Sequence, residues 1–116
     1  MELKNLTPHA IALHLASGEV VTLPSVGVAR VATLPRTASS VDGLPLPVLP
    51  APVWGAVEGL PAPQEGVVFI VSGMVLEALR GSGRSDVFAP GTGPTDGAVR
   101  NDKGQVVGVT TLVACG

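Results

Sequence analysis

A chain of 116 residues, 46% hydrophobic and 14% charged, has the length of a single domain, residues 1–116, and the composition of a folded one. Only 3% of it is aromatic, so the core is aliphatic, and so few charges leave Val, Leu and Ala for the surface or for another subunit, which predicts a homo-oligomer. A net charge of −2 speaks against a nucleic-acid polymer as partner but leaves small anions open, because a local arginine cluster outweighs the total.

In chain order, the first feature is a compact polar group, Asn5-Leu6-Thr7-Pro8-His9, placed directly before an apolar run. The run "AIALHL" alternates, with Ile11, Leu13 and Leu15 on one face. Ser17-Gly18-Glu19 turns the chain and "VVTL" returns, so Ala10 to Leu23 is predicted to be a hairpin. Gly27 to Leu34 is the next strand, with Arg30 on the Val28 and Ala32 face. Asp42-Gly43 marks a tight turn. The segment after it carries Pro45, Pro47, Pro50 and Pro52. Proline cannot donate to a ladder, so this is an extended strap at an edge or over the surface, one able to reach a neighbour.

Gly66 to Ser72, "GVVFIVS", is the most apolar run and reads as a central strand buried on both faces. Ser72 then caps a short helix. Val71, Val75 and Leu79 share its apolar stripe with Met74 and Ala78 beside it, Glu77 and Arg80 face outward, and Gly81 stands at C′. Residues 81–97, with glycines at 81, 83, 91, 93 and 97, read as a loop. Residues 98–114 read as a closing hairpin turned at Asn101-Asp102-Lys103-Gly104. The predicted fold class is therefore mainly β with one short α-helix, a small bent sheet or partly open barrel packed on that helix.

The one cysteine, Cys115, excludes an intrachain disulfide and a cysteine-based metal site. The N-terminus lacks the apolar core of a signal peptide, and no apolar stretch reaches the length of a membrane helix, so the expected location is the cytoplasm, without a membrane partner. Enzyme signatures are missing. His9 and His14 lack metal spacing, no nucleophile elbow occurs, and "GSGRSD" lacks the lysine of a phosphate loop. The expectation is a protein with no catalysis, no cofactor and no metal.

What stands out is a polar set unlike a solvated surface. His9 shares parity with Ile11 and Leu13, which points it to the core side. Asn5 and Thr7 suit a turn whose side chains bond the backbone. Pro8 fixes its own φ and biases Thr7 to an extended conformation. Arg84 and Asp86 frame a tight loop, and Arg100-Asn101 leads into the last hairpin. Two readings stand: a structural turn with local ion pairs, or the rim of a site for a small anion. In the second, Thr7, His9, Ser72, Arg84, Arg100 and Asn101 are the ligand-binding residues, arginines taking phosphate and short polar groups taking ribose and base edges.

The motifs "NLTPH" at Asn5–His9, "ARV" at Ala29–Val31, "FIVS" at Phe69–Ser72, "RSD" at Arg84–Asp86 and "VRNDKGQVVG" at Val99–Gly108 resemble, in the same order, those of short phage, prophage and actinobacterial proteins of unassigned function. The resemblance spans nearly the whole chain. It departs in the proline-rich strap and at Val109, where many relatives carry Cys. It implies a phage setting and, for a phage-encoded chain, the host cytoplasm. Three functions fit that setting. The first is a counter-defence sponge that sequesters a nucleotide immune signal, such as a cyclic nucleotide, without catalysis. The alternative is a virion or assembly protein forming a homo-oligomer, which requires a large apolar surface and no organised arginine pocket. The last is a small nucleotide hydrolase or lyase with His9 as general base, for which no second catalytic group is legible.

Overall fold

The fold is organised around the apolar run expected at its centre. In the computed structural model, which describes residues 1–115, this run forms strand β6 (Val67–Ile70). Phe69, Ile70 and Val71 are each no more than 1% exposed. Strand β1 (Glu2–Asn5) pairs parallel to one side of β6, with Asn5 opposite Ile70. Strand β7 (Val87–Pro90) pairs parallel to the other side, with Phe69 opposite Val87. Strand β10 (Leu112–Ala114) closes the sheet antiparallel to β7, giving the order β1-β6-β7-β10. Three two-stranded units surround it: β2 (Ile11–His14) with β3 (Val20–Leu23), β4 (Arg30–Thr33) with β5 (Trp54–Glu58), and β8 (Val99–Arg100) with β9 (Val106–Gly108). The molecule is thus mainly β with one short helix, and its sheets are small and open, not a closed barrel.

Successive side chains along a strand point to opposite faces, and this sorts the central sheet into two. Phe69, Val71, Val87 and Ala89 form one cluster with Val75, Leu76 and Leu79 of helix α1 (Gly73–Ala78), and Val31 and Val57 of the β4–β5 pair pack against it. Ile70, Asn5 and Leu3 point the other way, beneath the β2–β3 hairpin. There Val109 joins β2 through the bonds Val109 N–H to Ala12 O (2.9 Å) and His14 N–H to Val109 O (2.8 Å). The helix-covered face is the larger aliphatic core.

The helix begins as expected, with Ser72 at its N-cap accepting from Val75 N at 3.4 Å. The expected stripe of Val71, Val75 and Leu79 is buried and Leu76 joins it, while Met74, expected beside it, is 52% exposed. The helix ends at Leu79, so Gly81, with φ +81°, lies one residue beyond C′. The 81–97 segment is not the continuous loop expected, because β7 runs through its middle. The closing hairpin is shorter than expected as well: β8 and β9 form it, and the chain from Val109 onward leaves to join β7 as β10.

The proline strap does not lie on the domain. Every residue from Ala32 to Val53 is exposed. Leu34 N–H bonds Val53 O, Ser39 and Val48 exchange both backbone bonds, and the Arg36 guanidinium donates to Pro50 O. The segment is a hairpin arm that leaves β4, turns at Asp42-Gly43 and returns to β5. Gly43 has φ +84°, a left-handed turn conformation in which glycine carries no Cβ penalty. The arm gives the molecule extents of 55 × 39 × 21 Å and a radius of gyration of 17.0 Å, against about 13 Å for a compact chain of this length.

Candidate functional site

The polar group ahead of β2 is built around one side chain. Asn5 ends β1 and is 1% exposed. Its Nδ2 donates to His9 O (2.8 Å) and to Leu23 O of β3 (3.0 Å). Its Oδ1 accepts from Thr7 N–H (3.0 Å) and from the Thr7 hydroxyl (2.6 Å), which also lies 2.9 Å from His9 O. Ser25 Oγ donates to Thr7 O at 2.6 Å, which ties in the chain after β3. Asn5, Leu6 and Thr7 are buried while Pro8, His9 and Ala10 are exposed, so the side chains of Asn5 and Thr7 find their partners within the protein. An amide with two donors and an acceptor satisfies three backbone groups at once. The arrangement is a locked corner that fixes where β2 and β3 sit over the sheet.

His9 does not face the core. Strand β2 begins only at Ile11, so strand parity does not extend back to His9, and the imidazole is exposed while the His9 carbonyl holds the turn. The histidine that turns inward is His14, at the other end of β2. Gly108 of β9 packs directly against its ring, and a Cβ at Gly108 would overlap His14 Nε2. This accounts for the Gly in Val-Val-Gly: it lets β9 approach β2.

Both arginines are engaged. Arg84 Nε and Nη2 donate to the two oxygens of Asp86 at 2.8 and 3.0 Å, and Nη2 also reaches Pro61 O at 3.1 Å. Each side chain is 18% exposed. The fork of hydrogen bonds from Arg84 holds the Asp86 carboxyl below its ordinary range and raises the guanidinium further above its own. Arg100 donates to Gly104 O in the β8–β9 turn and to Thr92 O after β7, at 3.0 and 3.1 Å. Asn101 is turn chemistry: its Oδ1 accepts from Lys103 N–H and Gln105 N–H. Ser72 is the helix cap.

The parallel register also separates these residues. Thr7 and Ser72 follow the carboxyl ends of β1 and β6, and Thr92, which Arg100 holds, follows the carboxyl end of β7. Arg84 precedes the amino end of β7, at the opposite edge of the sheet. So Thr7, His9, Ser72 and Arg100 share one edge, and Arg84 lies at the other with its charge met by Asp86. Among the described residues, no group of three His, Cys, Asp or Glu side chains is placed to hold a metal ion. No helix among them is long and apolar enough to cross a membrane.

A feature that the sequence reading did not single out lies on the sheet face beneath β2. There Leu3, Leu13, His14, Leu15, Val109 and Leu112 line an open hollow of about 250 Å³. Its walls are aliphatic apart from the imidazole and the threonines at 110 and 111. It is smaller than the roughly 300–1,000 Å³ of typical small-molecule sites, and lacks their convergent polar groups. No family model, no curated protein sequence and no solved structure matches this chain.

Proposed function

We propose that the protein works by self-association, as a non-catalytic subunit of a homo-oligomeric assembly. One observation carries this reading: the hairpin arm of residues 32–53 is exposed along its whole length and is apolar. Leu34, Val41, Leu44, Leu46, Leu49 and Val53 are each between 45% and 73% exposed. Arg36 and Asp42 are the arm's only charges. An isolated hairpin is marginal in water, and this one has no body of its own chain beneath it. A second chain lying against it buries those side chains. The paired state of Arg84 fits the same reading, since Asp86 meets its guanidinium and does not leave it open for a phosphate.

A second reading, the counter-defence sponge for a small anionic ligand such as a nucleotide, rests on a different observation. Thr7, His9, Ser72 and Arg100 gather at the carboxyl edge of three parallel strands, where ligands bind in many open parallel sheets. For that reading Arg100 offers the N–H groups that Gly104 O and Thr92 O do not take, and Arg84 takes no part.

Native mass spectrometry of the purified protein, compared with the same sample after denaturation, separates the two. Self-association predicts multiples of the 11.6 kDa chain without added small-molecule mass. Particles that carry a ligand mass released on denaturation favour the sponge. A bare single chain at micromolar concentration contradicts self-association.

A further inference from the structure

We infer that the tip-proximal side chain Leu46 of one copy docks in the aliphatic hollow of Leu3, Leu13, Leu15, Val109 and Leu112 on a second copy. This rests on the self-association reading and names its contact surfaces. Leu46 is 73% exposed, more than any other large apolar side chain after Met1. It stands between Pro45 and Pro47. Leu46 sits at a bend of the arm, and two flanking rings, each fixing its own φ, restrict the backbone there before any partner arrives, so less chain entropy is lost on docking.

The hollow is the matching surface. It is open, nearly uncharged and aliphatic, and Leu15 and Leu112 at its rim are 42% and 39% exposed. Arm and hollow are both close to neutral, so contact between them desolvates few charges. The arm does not serve its own hollow. It springs from β4 and β5, which pack on the helix-covered face of the central sheet, whereas Leu3 and Leu112 point to the opposite face. No residue of the arm lines the hollow.

The areas agree with a second copy as occupant. The chain exposes 7565 Å², where a compact monomer of this mass exposes about 5,800 Å². The excess is about twice the roughly 800 Å² that each partner contributes to a standard interface, enough for each copy to give an arm and receive one. Two such contacts related by a two-fold axis close a dimer, and a non-reciprocal contact generates a ring or filament.

The test mixes two single variants, Leu46→Cys and Leu15→Cys, both in a Cys115→Ala background, one of them tagged so that mixed pairs are told apart by mass. A short bismaleimide should join them at several times the yield found for Leu46→Cys mixed with Val26→Cys, a site that is 62% exposed and away from the hollow. Equal yields from a protein that still sediments as a multimer overturn the docking site and leave self-association standing. Equal yields from a protein that sediments as single chains overturn both. Leu15→Glu provides the second check: it should weaken association at least tenfold with an unchanged circular dichroism spectrum, and unaltered association contradicts the assignment.

Discussion

At the scale of single residues, the molecule resolves its few polar groups by pairing them inside. Asn5 is the clearest case, because its amide bonds Thr7, His9 and Leu23 with almost no access to water. Replacing it by Ala removes the side-chain partner of the Thr7 N–H and of Leu23 O, leaves His9 O only the Thr7 hydroxyl, and should cost about 2–3 kcal/mol in urea unfolding at fixed protein concentration. Thr7→Val should cost only about 1 kcal/mol, since the other three bonds of Asn5 survive. Equal losses would mean that the hydroxyl, not the amide, holds the corner. The Arg84–Asp86 pair makes a forecast in pH. Asp86 is held below its ordinary value by hydrogen bonds from Arg84, so its contribution is complete above the carboxylate range of an unfolded chain, near pH 4. It is lost as pH falls through the lower folded value. Asp86→Asn should therefore be less stable by about 1.5–3 kcal/mol at neutral pH, with the gap to wild type constant down to about pH 4 and closing below it. A gap that widens on acidification contradicts the pairing.

At the scale of elements, the local patterns were legible and the non-local pairings were not. Alternation in "AIALHL" and the Ser17–Glu19 turn identify the β2–β3 hairpin, whose register runs from Ile11 opposite Leu23 to His14 opposite Val20. The Ser72 cap and the apolar run before it place β6 and α1. Strand β7 was hidden because glycines flank it and Pro90 lies inside it. Proline is acceptable there because β6 takes its bonds earlier, through Phe69 N–H to Asp86 O and Val71 N–H to Phe88 O. Strand β1 alternates charge with one leucine in "ELKN", and its burial comes from β6, far along the chain. Strand β5, "WGAVE", follows the arm and gains its place by pairing with β4 across a bulge and by packing Val57 on the core. The candidate site shows the same division. The turn chemistry of Asn5, Thr7 and Asn101 follows from residue type, whereas the outward position of His9 depended on the strand starting at Ile11, one residue inside its apolar pattern.

At the scale of the whole molecule, the sheet core is complete and the arm is not. The elongated shape, with a radius of gyration of 17.0 Å, comes from a proline-rich hairpin that buries nothing of its own chain, and self-association is the simplest way for its leucines to leave water. Sedimentation equilibrium of the wild type beside a Leu46→Glu/Leu49→Glu variant, at one micromolar concentration, tests this most directly. Both side chains are more than half exposed, so the substitutions leave the sheet core intact. The wild type should sediment at a multiple of 11.6 kDa and the variant at 11.6 kDa. A wild type at the single-chain mass, or a variant whose mass is unchanged from a multimeric wild type, would contradict the account.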